Sequence, residues 1–127
     1  MILGIGIDIV DVGRLERAVE RWKDGFTRRV FTPGELDYCL GQKRPAQHLA
    51  ARFGVKEAVM KAFGTGWSGG VSWHDVEVVR EASGRPSVLL AGRLREMAEG
   101  MGVKETLVSF SHDGAHAVAQ AILTGGR

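Results

Sequence analysis

The chain has 127 residues, 44% of them hydrophobic and 25% charged, and its formal net charge is +2. This composition predicts one globular domain over residues 1–127, argues against extensive disorder, and gives no charge-based reason to expect a nucleic-acid partner. No apolar run reaches the roughly 20 residues that cross a bilayer, the N-terminus has no signal-peptide pattern, and the only cysteine, Cys39, excludes an internal disulfide and suits the cytoplasm.

The first predicted element is a strand over residues 2–10, where β-branched residues alternate with smaller ones. Gly4, Gly6 and Asp8 fall on one face of this strand, and we expect the isoleucines on the other face to be the core side. The two glycines leave room beside Asp8 for another backbone or a ligand. A strand end or a helix cap is the plainer interpretation of Asp8, but Asp11 is the better-placed cap.

The next element is a helix that Asp11 caps and that runs to about Lys23. Its apolar side chains form one stripe, which we expect to face the core: Val12, Leu15, Val19 and Trp22. A separate stripe of the same helix is basic and contains Arg14, Arg17 and Arg21. Together with Arg28, these arginines give a local positive excess, which indicates an acidic partner or a phosphate unless the face is merely solvated.

Two more helices are predicted from their caps. Thr32 as N-cap, Pro33 at the first helical position and Glu35 closing a capping box predict a short helix over residues 33–40. Pro45 begins a longer helix that ends at Gly64. Apolar residues occupy most of the circumference of this long helix, so we expect it to be well buried.

Charged residues on a helix that is predicted to be buried require an explanation. Glu57 and Lys61 are four residues apart, and Gly54 on the same sector predicts a shallow recess beside them. An ordinary pair at this spacing contributes only about 0.2–0.5 kcal/mol. It does not account for Gly54, since glycine costs about 1 kcal/mol against alanine inside a helix. Lys56 and Arg52, within the apolar arc, are also left unexplained.

The remaining elements are short strands, a helix and a closing hairpin. The strands are predicted at residues 75–80 and 86–90, the amphipathic helix is marked by Leu94 and Met101, and the hairpin pairs 106–112 with 115–123. Because helices and antiparallel strands are mixed, the predicted fold class is α+β.

Two carboxylates surrounded by cationic side chains are a common arrangement for Mg²⁺ and a polyphosphate, because Mg²⁺ takes few protein oxygens and keeps several waters. A lysine can offset phosphate charge, and Gly64 and Gly66 can offer backbone N–H groups to it. His112, beside a turn, can reach a ligand or be an ordinary turn residue. Its neighbours Ser111 and Asp113 cannot both reach it in triad geometry, which argues against a serine hydrolase.

With these stretches in place, the chain resembles the holo-acyl-carrier-protein synthase family of 4′-phosphopantetheinyl transferases. The similar stretches include "GIGIDIVDVGRLE", "HLAARFGVKEAVMKAFGTG" and "VSFSHDGAHAVAQAI", and together the likeness covers nearly the whole chain. The resemblance implies a single α+β domain in which an antiparallel sheet packs against a long buried helix. It also implies a homotrimer with sites between subunits.

The resemblance further implies a reaction. Coenzyme A is the co-substrate, bound with Mg²⁺, and its phosphopantetheine arm is transferred to a serine of apo acyl carrier protein in fatty acid biosynthesis. By resemblance, Asp8 and Glu57 match the metal ligands, and Lys61 matches the residue beside the diphosphate. These three form the predicted catalytic set. A metal-bound water or a carboxylate would accept the serine proton.

The binding residues are predicted from two sources. Segments that line the nucleotide in the family match Lys43, Arg44, Arg85 and Pro86. The further coenzyme A candidates, by residue type and position, are Arg52, Lys61, Gly64, Gly66 and His112. The carrier protein is expected on the basic residues Arg14, Arg17, Arg21 and Arg28.

Two other function classes use some of the same residues. A Mg²⁺-dependent phosphohydrolase would use both carboxylates but gives the arginine stripe no role. A non-enzymatic module that binds an acidic protein or nucleic acid explains the arginines but leaves Asp8, Glu57 and Lys61 without one. Nucleic acid is disfavoured further, because few aromatic residues are interleaved with the basic ones. We expect no membrane partner.

Overall fold

The computed structural model describes residues 1–65 and 69–126, so the predicted phosphate-binding Gly66 lies outside the described residues. Within them, the elements follow in the order β1 Ile2–Asp11, α1 Val12–Trp22, α2 Asp24–Val30, α3 Pro33–Leu40, α4 Pro45–Phe63, a 3₁₀ turn Trp73–Asp75, β2 Val76–Arg80, β3 Pro86–Leu90, α5 Gly92–Met101, β4 Val103–His112 and β5 His116–Gly125. None of the helices in these two ranges is long and apolar enough to cross a membrane.

The caps that the sequence contains form as predicted. Asp11 accepts a hydrogen bond from the backbone N–H of Arg14, and the capping box of Thr32 and Glu35 is complete. Helix α4 begins at Pro45, and its C-cap is Gly64, which takes a left-handed conformation with φ of 77°. Helix α2 was not predicted, because it has no side-chain cap to mark its start.

The α+β class is confirmed, with an antiparallel sheet packed against the long helix. Three strands form one sheet in the order β1-β5-β4, and β2 and β3 form a separate hairpin. Helix α4 lies across one face of the three-stranded sheet and is buried along most of its length, as the sequence predicts. The register sets Gly6 opposite Ala121 and Asp8 opposite Ala119, and both alanines are buried.

The core face of β1 was predicted wrongly. The glycine face packs on α4, because a Cβ at Gly6 would overlap the carbonyl oxygen of Ala58, and one at Gly4 would overlap that of Ala62. The isoleucines point the other way, and Ile7 is 57% exposed. A period of two places residues on opposite faces, but it does not say which face a helix will cover.

Two expectations about side-chain packing were also wrong. Trp22 does not join the core but is 59% exposed, because it ends α1 and the chain turns away at Lys23, whose φ is 48°. Gly54 does not open a recess on α4. A Cβ there would lie 3.3 Å from the Cβ of Ala119 and 3.4 Å from Cγ2 of Val10, so Gly54 lets the helix and sheet pack closely.

A buried ion pair connects three elements and explains Lys56. Its Nζ lies 2.9 Å from Oε1 of Glu35, and both side chains are fully buried. Glu35 also accepts backbone N–H bonds from Thr32 at 2.8 Å and from Val78 at 2.7 Å. The Lys56 ammonium donates to the carbonyl oxygen of Val76 as well. Glu35 on α3, Lys56 on α4 and the backbone of β2 are therefore held to one another.

The substitution Lys56→Met tests the importance of this pair. It leaves the Glu35 carboxylate buried without its cation, which typically costs about 3–5 kcal/mol. We expect that loss in the free energy of unfolding measured with urea. The matched control is Lys61→Met, which removes a half-exposed lysine from the same helix and should cost about 1 kcal/mol or less. Equal losses in the two variants would contradict the assignment.

Candidate active site

Asp8 and Glu57 line one cleft between β1, α1 and α4. The cleft has a volume of ≈ 330 Å³. Its apolar wall is made by the side chains of Leu15, Ala18, Phe26 and Phe53. Asp8 reaches α4 because the glycines before it bring strand and helix into backbone contact. The predicted pair of carboxylates is therefore brought together.

Lys61 connects the helix to the strand. Its Nζ donates to Oδ1 of Asp8 at 2.9 Å and to the carbonyl oxygen of Ile7 at 3.1 Å. Its ion pair is thus with Asp8 across the junction, rather than with Glu57 four residues earlier on α4. The Lys61 side chain remains half exposed, so the ammonium can also contact a ligand at the cleft.

Glu57 is a destabilised carboxylate. Burial raises its pKa, the negative charge of Asp8 raises it further, and Lys61 opposes both effects. Two carboxylates that repel each other in one cleft form a donor set that a divalent cation would stabilise.

The donor set also indicates how a metal would be held. Among residues 1–65 and 69–126, no group of three or more His, Cys, Asp or Glu side chains could bind a metal ion. Mg²⁺ needs only one or two carboxylates when waters and substrate phosphates complete its shell. Asp8 and Glu57 therefore fit a Mg²⁺ ion that is shared with a diphosphate.

Arg52 belongs to a second cluster, away from this cleft. Its guanidinium is almost fully buried and lies 4.4 Å from the ring centre of Tyr38 and 5.7 Å from that of Phe110. The Nε of Arg52 has no hydrogen-bond partner among the described residues. The guanidinium of Arg80 lies 5.2 Å from the same Tyr38 ring. Two cations thus flank one aromatic ring.

The cluster continues to the predicted ligand residue His112. The rings of Tyr38 and His48 are 5.9 Å apart, and those of His48 and His112 are 6.0 Å apart. Burial lowers the pKa of His48, and the charge of Arg52 lowers it further, so the neutral imidazole is favoured. Sequence reasoning missed His48, although its position four residues before Arg52 on one helix face could have indicated it.

The other predicted nucleotide residues lie in three separate places. Lys43 and Arg44 precede α4 and line a cleft of ≈ 300 Å³ that Gly114, at the β4–β5 turn, also lines. Arg85 and Pro86 lie at the end of the β2–β3 hairpin, where Pro86 pairs with Arg80. Gly64 ends α4, three residues after Lys61. None of these residues lines the Asp8–Glu57 cleft.

The basic residues predicted to bind a partner lie on two helices. Arg14 lines the Asp8–Glu57 cleft, and Arg17 and Arg21 are exposed along α1. None of the three forms an ion pair with the part of the chain that the structure describes. Arg28 is on α2 and lies 3.7 Å from Asp24, so its charge is partly offset.

Comparison with known proteins places this geometry in a family. A family model for the 4′-phosphopantetheinyl transferase superfamily matches residues 4–121. The holo-[acyl-carrier-protein] synthase of Koribacter versatilis is 47% identical, over 97% of this chain and 98% of that protein. The crystal structure of the Neisseria meningitidis synthase has a TM-score of 0.89 at 33% identity, covering 98% of this chain and 99% of that one. A Bacillus anthracis synthase in complex with CoA (3′,5′-ADP) has a TM-score of 0.81 at 34% identity, covering 99% of each chain.

The charges around Glu57 predict opposite effects of two substitutions. Asp8→Asn should lower the pKa of Glu57 by removing its negative neighbour, whereas Lys61→Met should raise it by removing its cation. In both variants the pKa should stay above that of an exposed glutamate, because burial is the largest cause. Carboxyl NMR titration of the metal-free protein measures both shifts, with Glu20→Gln on the exposed face of α1 as control. Shifts of the same sign would contradict this account.

Proposed function

The chain belongs to the 4′-phosphopantetheinyl transferase superfamily, and from that membership we propose how its residues divide the reaction. It transfers the 4′-phosphopantetheine group of coenzyme A to a serine of apo acyl carrier protein, which is a holo-[acyl-carrier-protein] synthase activity. The observation that carries the proposal is that Asp8 and Glu57 line one cleft, with Lys61 bonded to Asp8. We expect the reaction in the cytoplasm, as the single cysteine predicts.

Asp8 and Glu57 hold a Mg²⁺ ion. The support is the donor set itself, since a pair of mutually repelling carboxylates with room for water and phosphate matches the few protein ligands that Mg²⁺ requires. When bound, the ion supplies positive charge to the diphosphate of coenzyme A.

Lys61 neutralises charge on the same diphosphate. The carrier serine gives its proton to a carboxylate or a water molecule and attacks a phosphorus atom of the diphosphate, so that a new P–O bond forms and the bond to adenosine 3′,5′-bisphosphate breaks. Because bonds form and break only at phosphorus, the protein contributes mainly positioning and charge stabilisation. The ammonium of Lys61 is half exposed and already fixed by Asp8 and the Ile7 carbonyl, so it meets the phosphate with little reorganisation.

The nucleotide end of coenzyme A binds at the cationic and aromatic cluster. The Nε of Arg52 is buried and has no hydrogen-bond partner among residues 1–65 and 69–126, so a phosphate bound beside it would stabilise this cation. His112 and the basic pair Lys43 and Arg44 border the same region. The Arg85–Pro86 turn lies next to this cluster, because Pro86 pairs with Arg80, whose guanidinium contacts the Tyr38 ring. Since these residues do not line the Asp8–Glu57 cleft, one complete site is best built from two chains.

The chain assembles as a homotrimer through the outer face of its sheet. The apolar arc of α4 and the alanines of β5 leave no surface for assembly, because they pack on each other inside one chain. The exposed isoleucine face of β1 is the better argument. It continues into Val118 on β5, and a contiguous apolar surface of this kind commonly marks an interface.

The carrier protein docks on α1. Arg14 connects the basic stripe to the cleft, so an acidic helix bound there would deliver its serine beside Asp8 and Glu57. Charges of this kind speed the encounter more than they deepen affinity.

The central experiment is transfer itself. Coenzyme A, Mg²⁺ and apo carrier protein are incubated with each variant, and mass spectrometry detects the added phosphopantetheine. Asp8→Ala and Glu57→Ala should abolish transfer without loss of the fold. Lys61→Ala should lower turnover about 10²–10³-fold, the usual effect of removing one charge partner. Lys61→Arg should restore part of it, because a planar guanidinium replaces a compact ammonium poorly.

Glu99→Ala, which removes an exposed carboxylate from α5, outside the cleft lining, is the matched control for the transfer experiment and should be unaffected. If wild type adds no phosphopantetheine, or if Asp8→Ala and Glu57→Ala keep normal Mg²⁺-dependent turnover, the proposed roles are wrong.

Docking on α1 predicts a selective kinetic effect. Arg14→Glu, alone or with Arg21→Glu, should raise the KM for carrier protein and leave the KM for coenzyme A nearly unchanged. In wild type the carrier KM should rise with salt, because surface charges are screened within about 10 Å at 0.1 M ionic strength. Lys104→Glu makes the same charge change on β4, at the far edge of the sheet, and should change neither constant. A larger effect on coenzyme A would place docking elsewhere.

Assembly is tested by a charge on the sheet face. Ile7→Lys should convert a trimer into smaller species in sedimentation equilibrium, because an unpaired ammonium would have to be buried in the interface. Leu89→Lys is the matched control, since both positions are 57% exposed and Leu89 lies on β3 outside this sheet. An active wild-type monomer at assay concentration would contradict the trimer.

A further inference from the structure

Trp22 ends α1, the helix that forms one wall of the Asp8–Glu57 cleft. Arg14, Leu15 and Ala18 are the residues of α1 that line this cleft. Trp22 comes four residues after Ala18, so it occupies the same side of α1 one turn further on. Beyond the turn at Lys23, Phe26 of α2 returns to line the cleft. Trp22 therefore lies on the cleft side of α1, just beyond the residues that line the cleft.

The exposure of this ring is unusual within the chain. Among the exposed large hydrophobic side chains of residues 1–65 and 69–126, Trp22 is the only aromatic one. Indole buries a large apolar area at low entropic cost, and tryptophan is enriched among the residues that dominate protein–protein affinity. A ring kept in solvent beside a catalytic cleft thus has the chemistry of a contact residue.

Arg21 holds the ring in place. Its guanidinium carbon lies 5.0 Å from the centre of the Trp22 ring, within the range of a cation–π contact. Such a contact restricts the indole before any partner arrives, which reduces the entropy lost on binding. Arg21 also belongs to the basic stripe, so a positive charge and an apolar ring are presented side by side.

We propose that Trp22 is an apolar anchor for the carrier protein, resting on the proposed function and on docking at α1. The occupant is a carrier helix in which an apolar side chain is flanked by carboxylates. The arginines of α1 form no ion pair with the described residues and would attract the carboxylates, while the ring packs on the apolar side chain. The arginines supply salt-dependent attraction, and the ring supplies salt-independent contact area.

The experiment compares Trp22→Ala with wild type in the transfer assay. We expect the KM for apo carrier protein to rise about tenfold, which is typical of a truncated hot-spot aromatic, and the KM for coenzyme A to stay constant. Trp22→Phe should restore part of the affinity. Leu40→Ala is the matched control, because Leu40 is also 59% exposed but ends α3, outside the cleft lining, and should change neither constant.

The dependence on ionic strength distinguishes the contribution of the Trp22 ring from that of the arginines. When ionic strength is raised to about 1 M, the Debye length falls to about 3 Å and the effect of Arg14→Glu should largely disappear. The effect of Trp22→Ala should persist, because it comes from apolar contact. Equilibrium binding to a carrier protein whose acceptor serine is replaced by alanine measures the same loss without turnover.

Three results would overturn the anchor. One is an unchanged carrier KM in Trp22→Ala, and another is an effect that salt removes as completely as that of Arg14→Glu. The third is an altered sedimentation of Trp22→Ala with normal carrier kinetics, which would mean that a second copy of this chain covers the ring. Failure of the proposed function looks different, since wild type itself would then transfer no phosphopantetheine.

Discussion

The buried ion pair between Lys56 and Glu35 is the constraint on which the candidate site depends. Burying two charges is costly, and the cost is met here only because Glu35 also accepts two backbone N–H bonds and Lys56 donates to a β2 carbonyl. This pair can form in only one orientation of α4 about its long axis. Glu57 is the next residue, so the interaction that fixes Lys56 toward α3 and β2 also directs Glu57 toward the cleft on the other side.

The second determinant is the close approach of β1 to α4. Without Gly4 and Gly6 the strand would stand off from the helix, and the 2.9 Å contact between Asp8 and Lys61 could not form. The first determinant thus sets the rotation of the helix and the second sets its distance from the strand. With both fixed, two carboxylates and a lysine from distant parts of the sequence meet at one place.

Local signals in the sequence predicted most of the elements. The capping box at Thr32, the proline that begins α4 and the glycine that ends it each act within a few residues, so they could be recognised without the fold. The partner of Lys56 could not be, because it lies on another helix and no periodicity links the two. The covered face of β1 and the exposure of Trp22 were mispredicted for the same reason: each depends on what packs there, which only the tertiary structure decides.

The contact of Gly6 with the Ala58 carbonyl joins main chain to main chain, with no side chain between them. Elsewhere in the core, a changed side-chain volume can be absorbed by neighbouring rotamers, at a modest cost in stability. At this junction there is no rotamer to adjust, so even one added methyl group must move the backbone. Substitutions elsewhere in the core should consequently leave the distance between Asp8 and α4 unchanged. Core substitutions elsewhere in this chain can then change its stability without changing the geometry of the candidate site, provided that Gly4 and Gly6 are kept.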